Sequence, residues 1–176
     1  MARIPEEREL FCCLIERYEA PLRRYLKRIM PGIADETDDV LQEIFIKVYV
    51  HARGFDTRMS FSSWIYRIAH NEAVSWLRKK KARLETVDLG DDECATFLTS
   101  MEVARDSRES RLAKDEVSRV LAQMSEKYRT VLVLRYLEGK TYDEIGDILE
   151  VPGGTVATLL HRAKKEFSSI FYNHVS

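Results

Sequence analysis

The sequence predicts an all-α protein: two small helical domains joined by an acidic flexible linker, the second containing a helix-turn-helix. Three observations predict this. Glycine and proline number only seven and four in 176 residues, and no run alternates apolar and polar residues as a half-buried strand would. Apolar residues instead recur at three- and four-residue steps over 1–85 and 112–176, and that period fails across 86–111. Near the C-terminus, a capping-box sequence, a short periodic run and a Pro-Gly-Gly turn precede a last periodic segment.

The first helix is expected from about Glu7 to Met30, with Leu10, Phe11, Leu14, Ile15, Tyr18, Leu22, Tyr25, Leu26 and Ile29 on its apolar side. Pro21 should kink or split it, and Pro31-Gly32 ends it. Cys12 and Cys13 are adjacent on this helix, cannot both face one metal, and read as packing residues. A second helix opens at a cap, Asp35 or Thr37, buries Val40, Leu41, Ile44, Phe45 and Val48, and closes at Gly54. Its outer face keeps Asp39, Gln42, Glu43, Ile46 and Lys47, a polar surface with one apolar member.

The loop from Phe55 to Met59 leads to Ser60, a plausible N-cap, and to a third helix beginning at Phe61. Trp64, Ile65, Ile68, Ala69 and Leu77 lie on one side of it; Tyr66, Arg67, His70, Asn71, Trp76 and Arg78 lie on the other. From Arg67 to Arg83 six Lys/Arg residues face a single acid, Glu72. Rings that stack on bases and cations that hold phosphates are what a nucleic-acid strand requires. The alternative is an amphipathic helix whose tryptophans are core and whose basic end complements the helix dipole.

Residues 86–111 form the acidic linker: from Glu85 to Glu109 eight acids oppose Arg105 and Arg108. Phe97 to Val103 is the part that could form a short helix or enter a groove, and Cys94 stands alone there. The basic and acidic segments cancel in a net charge of −1, so net charge says little about partners. Periodicity returns with Leu112, Val117, Val120, Leu121 and Met124. Ser125 caps a helix through Leu137 that ends at a left-handed Gly139. Thr141 to Glu144 is a capping box opening a short helix with Ile145, Ile148 and Leu149 buried. Val151-Pro152-Gly153-Gly154 is the turn, and Thr155 to Phe171 the last helix. Gly154 and Thr155 offer N–H groups and a helix dipole to a phosphate. Thr155, Thr158, His161, Arg162, Lys164 and Lys165 follow on that helix.

Together these residues resemble a sigma factor of the sigma-70 family, in its extracytoplasmic-function (ECF) group. Asp39 to Lys47 is similar to the family's docking helix for core RNA polymerase. Phe61 to Asn71 with Arg78 to Arg83 resembles its promoter-melting, −10-reading segment. Arg135 to Gly146, Pro152 to Val156 and Arg162-Ala163 resemble its −35-reading helix-turn-helix. The resemblance implies a non-enzymatic promoter-specificity subunit that binds core RNA polymerase, recognises −35 and −10 elements of promoter DNA, and melts the latter. It assigns core binding to Asp39, Gln42, Glu43 and Ile46. To the −10 element it assigns Phe55, Asp56, Arg58, Phe61, Trp64, Tyr66, Arg67, Asn71, Trp76, Arg78, Lys79, Lys80 and Arg83, with Lys81 among the cations. To the −35 element it assigns Thr141, Gly154, Thr155, Thr158, His161, Arg162 and Lys165. An anti-sigma factor is a further partner by family analogy.

Two departures stand against the pattern. Ala157-Thr158-Leu159 occupies the place of a basic or polar trio, which implies weaker or altered −35 reading, or a sigma-like adaptor. Met124-Ser125 replaces a common Leu-Pro. A regulator using only the helix-turn-helix would leave the basic-aromatic helix unexplained. Phosphate-loop, zinc-protease and nucleophile-elbow motifs are absent, and His51, His70, His161 and His174 are scattered, so no metal, cofactor or catalysis is expected. Without a signal peptide or an apolar run near 18 residues, the expected location is the cytoplasm.

Overall fold

The computed structural model describes residues 4–32, 36–86 and 108–175, and every described element is helical. The expected linker therefore lies largely outside the described residues, as do Asp35, Cys94 and the Phe97 to Val103 stretch.

Helix α1 (Ile4–Ile29) runs unbroken through Pro21. Proline removes one backbone bond, and Leu22, Tyr25, Leu26 and Ile29, all buried just beyond it, hold the helix on course. Cys12 and Cys13 are both exposed rather than packed, because Phe11, Leu14 and Ile15 already supply the inward positions of that turn. Helix α2 (Thr37–His51) starts without a side-chain cap: Glu36 is the N-cap and Thr37 lies buried inside the helix. Asp38 and Asp39 complement the dipole instead, and Asp38 also pairs with Arg23 of α1. A 3₁₀ turn (Ala52–Gly54) then leads to helix α3 (Phe61–Thr86). Ser60 caps α3 as expected, its Oγ accepting from the Ser63 N–H at 3.0 Å.

Helix α4 (Arg108–Gln123) begins inside the segment expected to be linker. Its C-terminal carbonyls at Leu121 and Ala122 accept from the buried Arg129 guanidinium at 3.4 and 3.3 Å. Ser125 is the N-cap of α5 (Glu126–Leu132), yet its side chain makes no cap bond; it turns to Glu166 of the last helix. The single helix expected through Leu137 widens into a π-helical turn, Val133–Leu137, where the Glu138 N–H donates to Val133 O at 3.0 Å. Gly139, at φ +67°, then closes the element as predicted. Helix α6 (Tyr142–Leu149) opens on a complete Thr141/Glu144 capping box. The left-handed residue after it is Glu150 at φ 55°, so Gly153 is free to begin α7 (Gly153–Val175), earlier than the turn assignment placed it.

Helices α1, α2 and α3 pack as one bundle, and α4, α5 and α6 pack around α7. The two halves also touch, with α3 against α6 and α1 against α4, α5 and the π turn. Their buried side chains form one continuous apolar cluster from Leu22 to Ala163.

Candidate nucleic-acid interface

Three aromatic rings anchor the surface at the start of α3. Phe55, Phe61 and Trp64 lie with centroids 5.2 to 5.5 Å apart at tilted or edge-on angles, and Tyr18 of α1 supports Phe61 at 5.7 Å. The loop before them is folded by Asp56, whose carboxylate accepts from the Arg58 backbone N–H at 3.0 Å and from its guanidinium at 2.7 to 3.0 Å. Those hydrogen bonds hold the Asp56 carboxyl down at about 2. An open hollow results, lined by Gly54, Asp56, Arg58, Met59, Trp64 and Arg67, with Asp147 of α6 at its edge.

Further along α3, Asn71, Arg78 and Lys79 are exposed, and so are Lys81 and Arg83. Trp76 is half-buried with the Lys80 ammonium 5.0 Å above its ring, and that ammonium lies 3.4 Å from Glu36. Tyr66, expected on the outward side, is only 4% exposed. The reason is that α3 is covered on two sides: Ile65, Ala69 and Ala73 face the N-terminal bundle, while Tyr66 meets the C-terminal half. Burial and the Glu138 carboxylate together push its phenol well above the ordinary tyrosine range. His70, also expected outward, is half-buried beside Tyr25, 3.4 Å from its hydroxyl, and desolvation lowers it to about 4.

On α2 the outer residues Asp39, Gln42, Glu43 and Ile46 are exposed along one face. Ile46 is not alone there: Tyr49 and Val50 are 58% and 64% exposed, and Phe11 meets Tyr49 edge-on at 5.1 Å. The step from Ile46 to Tyr49 and Val50 is the helical period, so the sequence itself carries the signal for this apolar extension.

In the C-terminal half, Gly154, Thr155, Thr158, His161, Arg162 and Lys165 all lie exposed on α7, with Ala157 among them. Leu159 is buried, so of the departing trio only Ala157 and Thr158 reach the outer face. Two hydroxyls are already engaged: Thr141 accepts from Glu144 N at 3.2 Å, and Thr158 donates to Gly154 O at 3.2 Å. The Thr155 N–H, expected to be open to an anion, donates to Pro152 O at 2.8 Å because α7 begins two residues earlier than the sequence suggested. Among the described residues no cluster of His, Cys, Asp and Glu is placed to hold a metal, and no helix is long and apolar enough to cross a membrane.

Both halves of the chain match known proteins. Residues 14–83 match the family described as sigma-70 region 2, and residues 114–167 that described as sigma-70, region 4. The chain is 32% identical to the ECF RNA polymerase sigma factor SigW of Bacillus subtilis, over 90% of this chain and 87% of that one. It is 30% identical to the ECF RNA polymerase sigma-E factor of Escherichia coli K12, over 90% and 85% respectively. In fold it is similar to the sigma factor RpoE of Bartonella quintana, solved with the anti-sigma factor NepR: TM-score 0.74 at 17% identity, over 92% of this chain and 96% of that one. With both regions in order and relatives at this identity along nearly its whole length, the chain belongs to the sigma-70 family, in its extracytoplasmic-function group.

Proposed function

We propose that this promoter-recognition sigma subunit divides its work among three surfaces: the outer face of α2, the aromatic and basic face of α3, and the outer face of α7. Asp39, Gln42, Glu43 and Ile46, extended by Tyr49 and Val50, bind core RNA polymerase. Phe55, Asp56, Arg58, Phe61, Trp64 and Arg67 receive an unstacked −10 base, with Tyr66, Asn71 and Trp76 close to the melted strand. Unstacking costs a few kcal/mol, offset by contacts in the hollow. Arg78, Lys79, Lys80, Lys81 and Arg83 hold upstream phosphates. Thr141, Gly154, Thr155, Thr158, His161, Arg162 and Lys165 face the −35 element. On this reading the functional units are 1–85, the linker 86–111 and 112–176. The protein acts in the cytoplasm, and an anti-sigma factor, as in the RpoE–NepR complex, restrains it.

The observation that carries the reading is the hollow at Trp64 and Arg67 beside a row of exposed cations on one helix. Run-off transcription with sigma-free bacterial core polymerase and a library of genomic fragments tests it. Discrete starts that depend on the added chain, and are lost on Trp64→Ala, are the expected result. Core binding without any start would favour an adaptor, and no core binding would remove the assignment on α2.

A further inference from the structure

The turn of α7 that enters a groove on the −35 reading carries no charge. Ala157 and Thr158 are exposed there, while Leu159 is buried in the core. The Thr158 hydroxyl donates to the Gly154 carbonyl at 3.2 Å, one turn back along the helix. Its proton is thereby committed, so Thr158 offers a partner only a methyl group and an acceptor oxygen. Ala157 offers a methyl alone. In the major groove guanine presents two acceptors, N7 and O6, and neither residue has a donor for them. An A·T pair presents the thymine methyl and the adenine amino donor, which suit both residues.

Positive charge is placed around this turn rather than in it. His161, Arg162, Lys164 and Lys165 are exposed further along α7. No acid occurs from 153 to 165, and the next residue, Glu166, is occupied by the Ser125 N–H at 2.7 Å. Two cations are also set against rings on the preceding elements. The Lys164 ammonium lies 5.5 Å over Tyr136, whose ring side chain is 55% exposed. The Arg135 guanidinium lies 5.2 Å over Tyr142, with its Nη1 donating to the Lys140 carbonyl at 2.9 Å. Cations held in this way suit phosphates, which fix register and orientation but carry no sequence information. Affinity and selectivity are thus divided between separate groups.

We propose that α7 selects thymine: Ala157 and the Thr158 methyl pack on the 5-methyl groups of A·T pairs, where arginine or lysine would select guanine, and Arg135, Arg162 and Lys164 hold flanking phosphates. This rests on the −35 reading of α7 and names the bases it prefers. The missing basic trio then changes which element is read and leaves reading itself intact.

The test uses holoenzyme assembled from the full chain and sigma-free bacterial core polymerase, on a run-off promoter whose −35 element is randomised. Thymine should be enriched at neighbouring positions of that element, on either strand. Replacing one such thymine by deoxyuridine removes only the methyl, and should weaken promoter binding roughly fourfold, the worth of one buried methyl-sized group. The change is made in the DNA, so folding of a variant does not bear on it. Thr158→Ser keeps the hydroxyl and drops the methyl; it should lower binding to a similar extent and erase the deoxyuridine effect at one position. Ala157→Arg should move the preference at a neighbouring position from thymine to guanine. Guanine selected by the unaltered chain overturns the proposal, as does equal binding to thymine and deoxyuridine promoters. In either case a selection weakened by Arg162→Ala leaves α7 on the −35 element. Starts indifferent both to the −35 sequence and to Arg162→Ala remove the −35 reading, and the thymine preference with it.

Discussion

Tyr66 and Glu138, 72 residues apart in sequence, meet through a 2.7 Å hydrogen bond in which the phenol donates to a carboxylate. Both side chains are nearly buried, and Arg28 completes the carboxylate's partners. A hydrogen bond to a charged group contributes about 1.5–3 kcal/mol, and an abandoned buried partner costs a similar amount. Tyr66→Phe and Glu138→Ala should therefore each destabilise the chain, with a coupling of about 1–3 kcal/mol in a double-mutant cycle measured by urea unfolding. Additive losses would show that the two residues act separately.

His70 gives stability a pH dependence. Its folded value of about 4 lies below the free histidine value of 6.5, so on acidification the unfolded chain takes up the proton first. The contribution is complete above pH 6.5 and is lost as pH falls through 4, with a slope of up to about 1.4 kcal/mol per pH unit. His70→Gln should flatten the unfolding free energy between pH 4.5 and 6.5 relative to wild type, as read by urea titrations (limits set by that shift). Parallel curves for the two proteins would contradict this.

Ser125 shows what one departure from the family pattern does. Its N–H donates to Glu166 Oε1 at 2.7 Å and its Oγ to Oε2 at 3.3 Å, tying the start of α5 to α7. Proline, common at this place in the family, has no N–H to give. Ser125→Pro should cost about 0.5–1.5 kcal/mol, Glu166→Ala a similar amount, and the pair together little more than either. Thermal melts of the three variants measure this.

The helices were legible because each carries a local signal. Ser60, Gly139 and the Thr141/Glu144 box all occupy the caps expected of them, since capping is decided within four residues. Tyr66 and His70 were misplaced because periodicity marks one buried side of a helix, and α3 has two. Glu138, Lys140 and Asp147 gave no sign of their contacts with α3, because charged residues after a helix end read as solvated and their partners lie about 70 to 80 residues away. The π turn that orients Glu138 has no composition signature of its own.

Two substitutions near the helix-turn-helix corner should move stability in opposite directions. A Cβ on Gly146 would stand 2.9 Å from the Val151 carbonyl, a backbone atom that cannot swing away. Gly146→Ala should thus cost about 1–3 kcal/mol despite alanine's better helix propensity. Glu150 holds φ 55° with a side chain, which costs roughly 1–2 kcal/mol. Glu150→Gly should recover up to about 1 kcal/mol, since its contact with Arg67 is long and exposed. Chemical denaturation of both variants checks the signs.

The cations at the end of α3 should not contribute equally to DNA binding. Each phosphate neutralised adds about 0.9 to the slope of log K against log salt on duplex DNA. Arg78 and Lys79 are exposed, and among the described residues no carboxylate is placed against them, so their charge is available to phosphates. Lys80 already lies 3.4 Å from Glu36 and 5.0 Å above Trp76, so part of its attraction is spent inside the protein. In holoenzyme binding to a promoter fragment recovered by run-off selection, Arg78→Ala with Lys79→Ala should lower the slope by about 2. Lys80→Ala should lower it by clearly less than one, because releasing Glu36 from its pair offsets part of the gain in counterions. An equal effect from all three would mean that Lys80 leaves Glu36 when DNA arrives. An unchanged slope in the double variant would place the phosphates elsewhere on the chain.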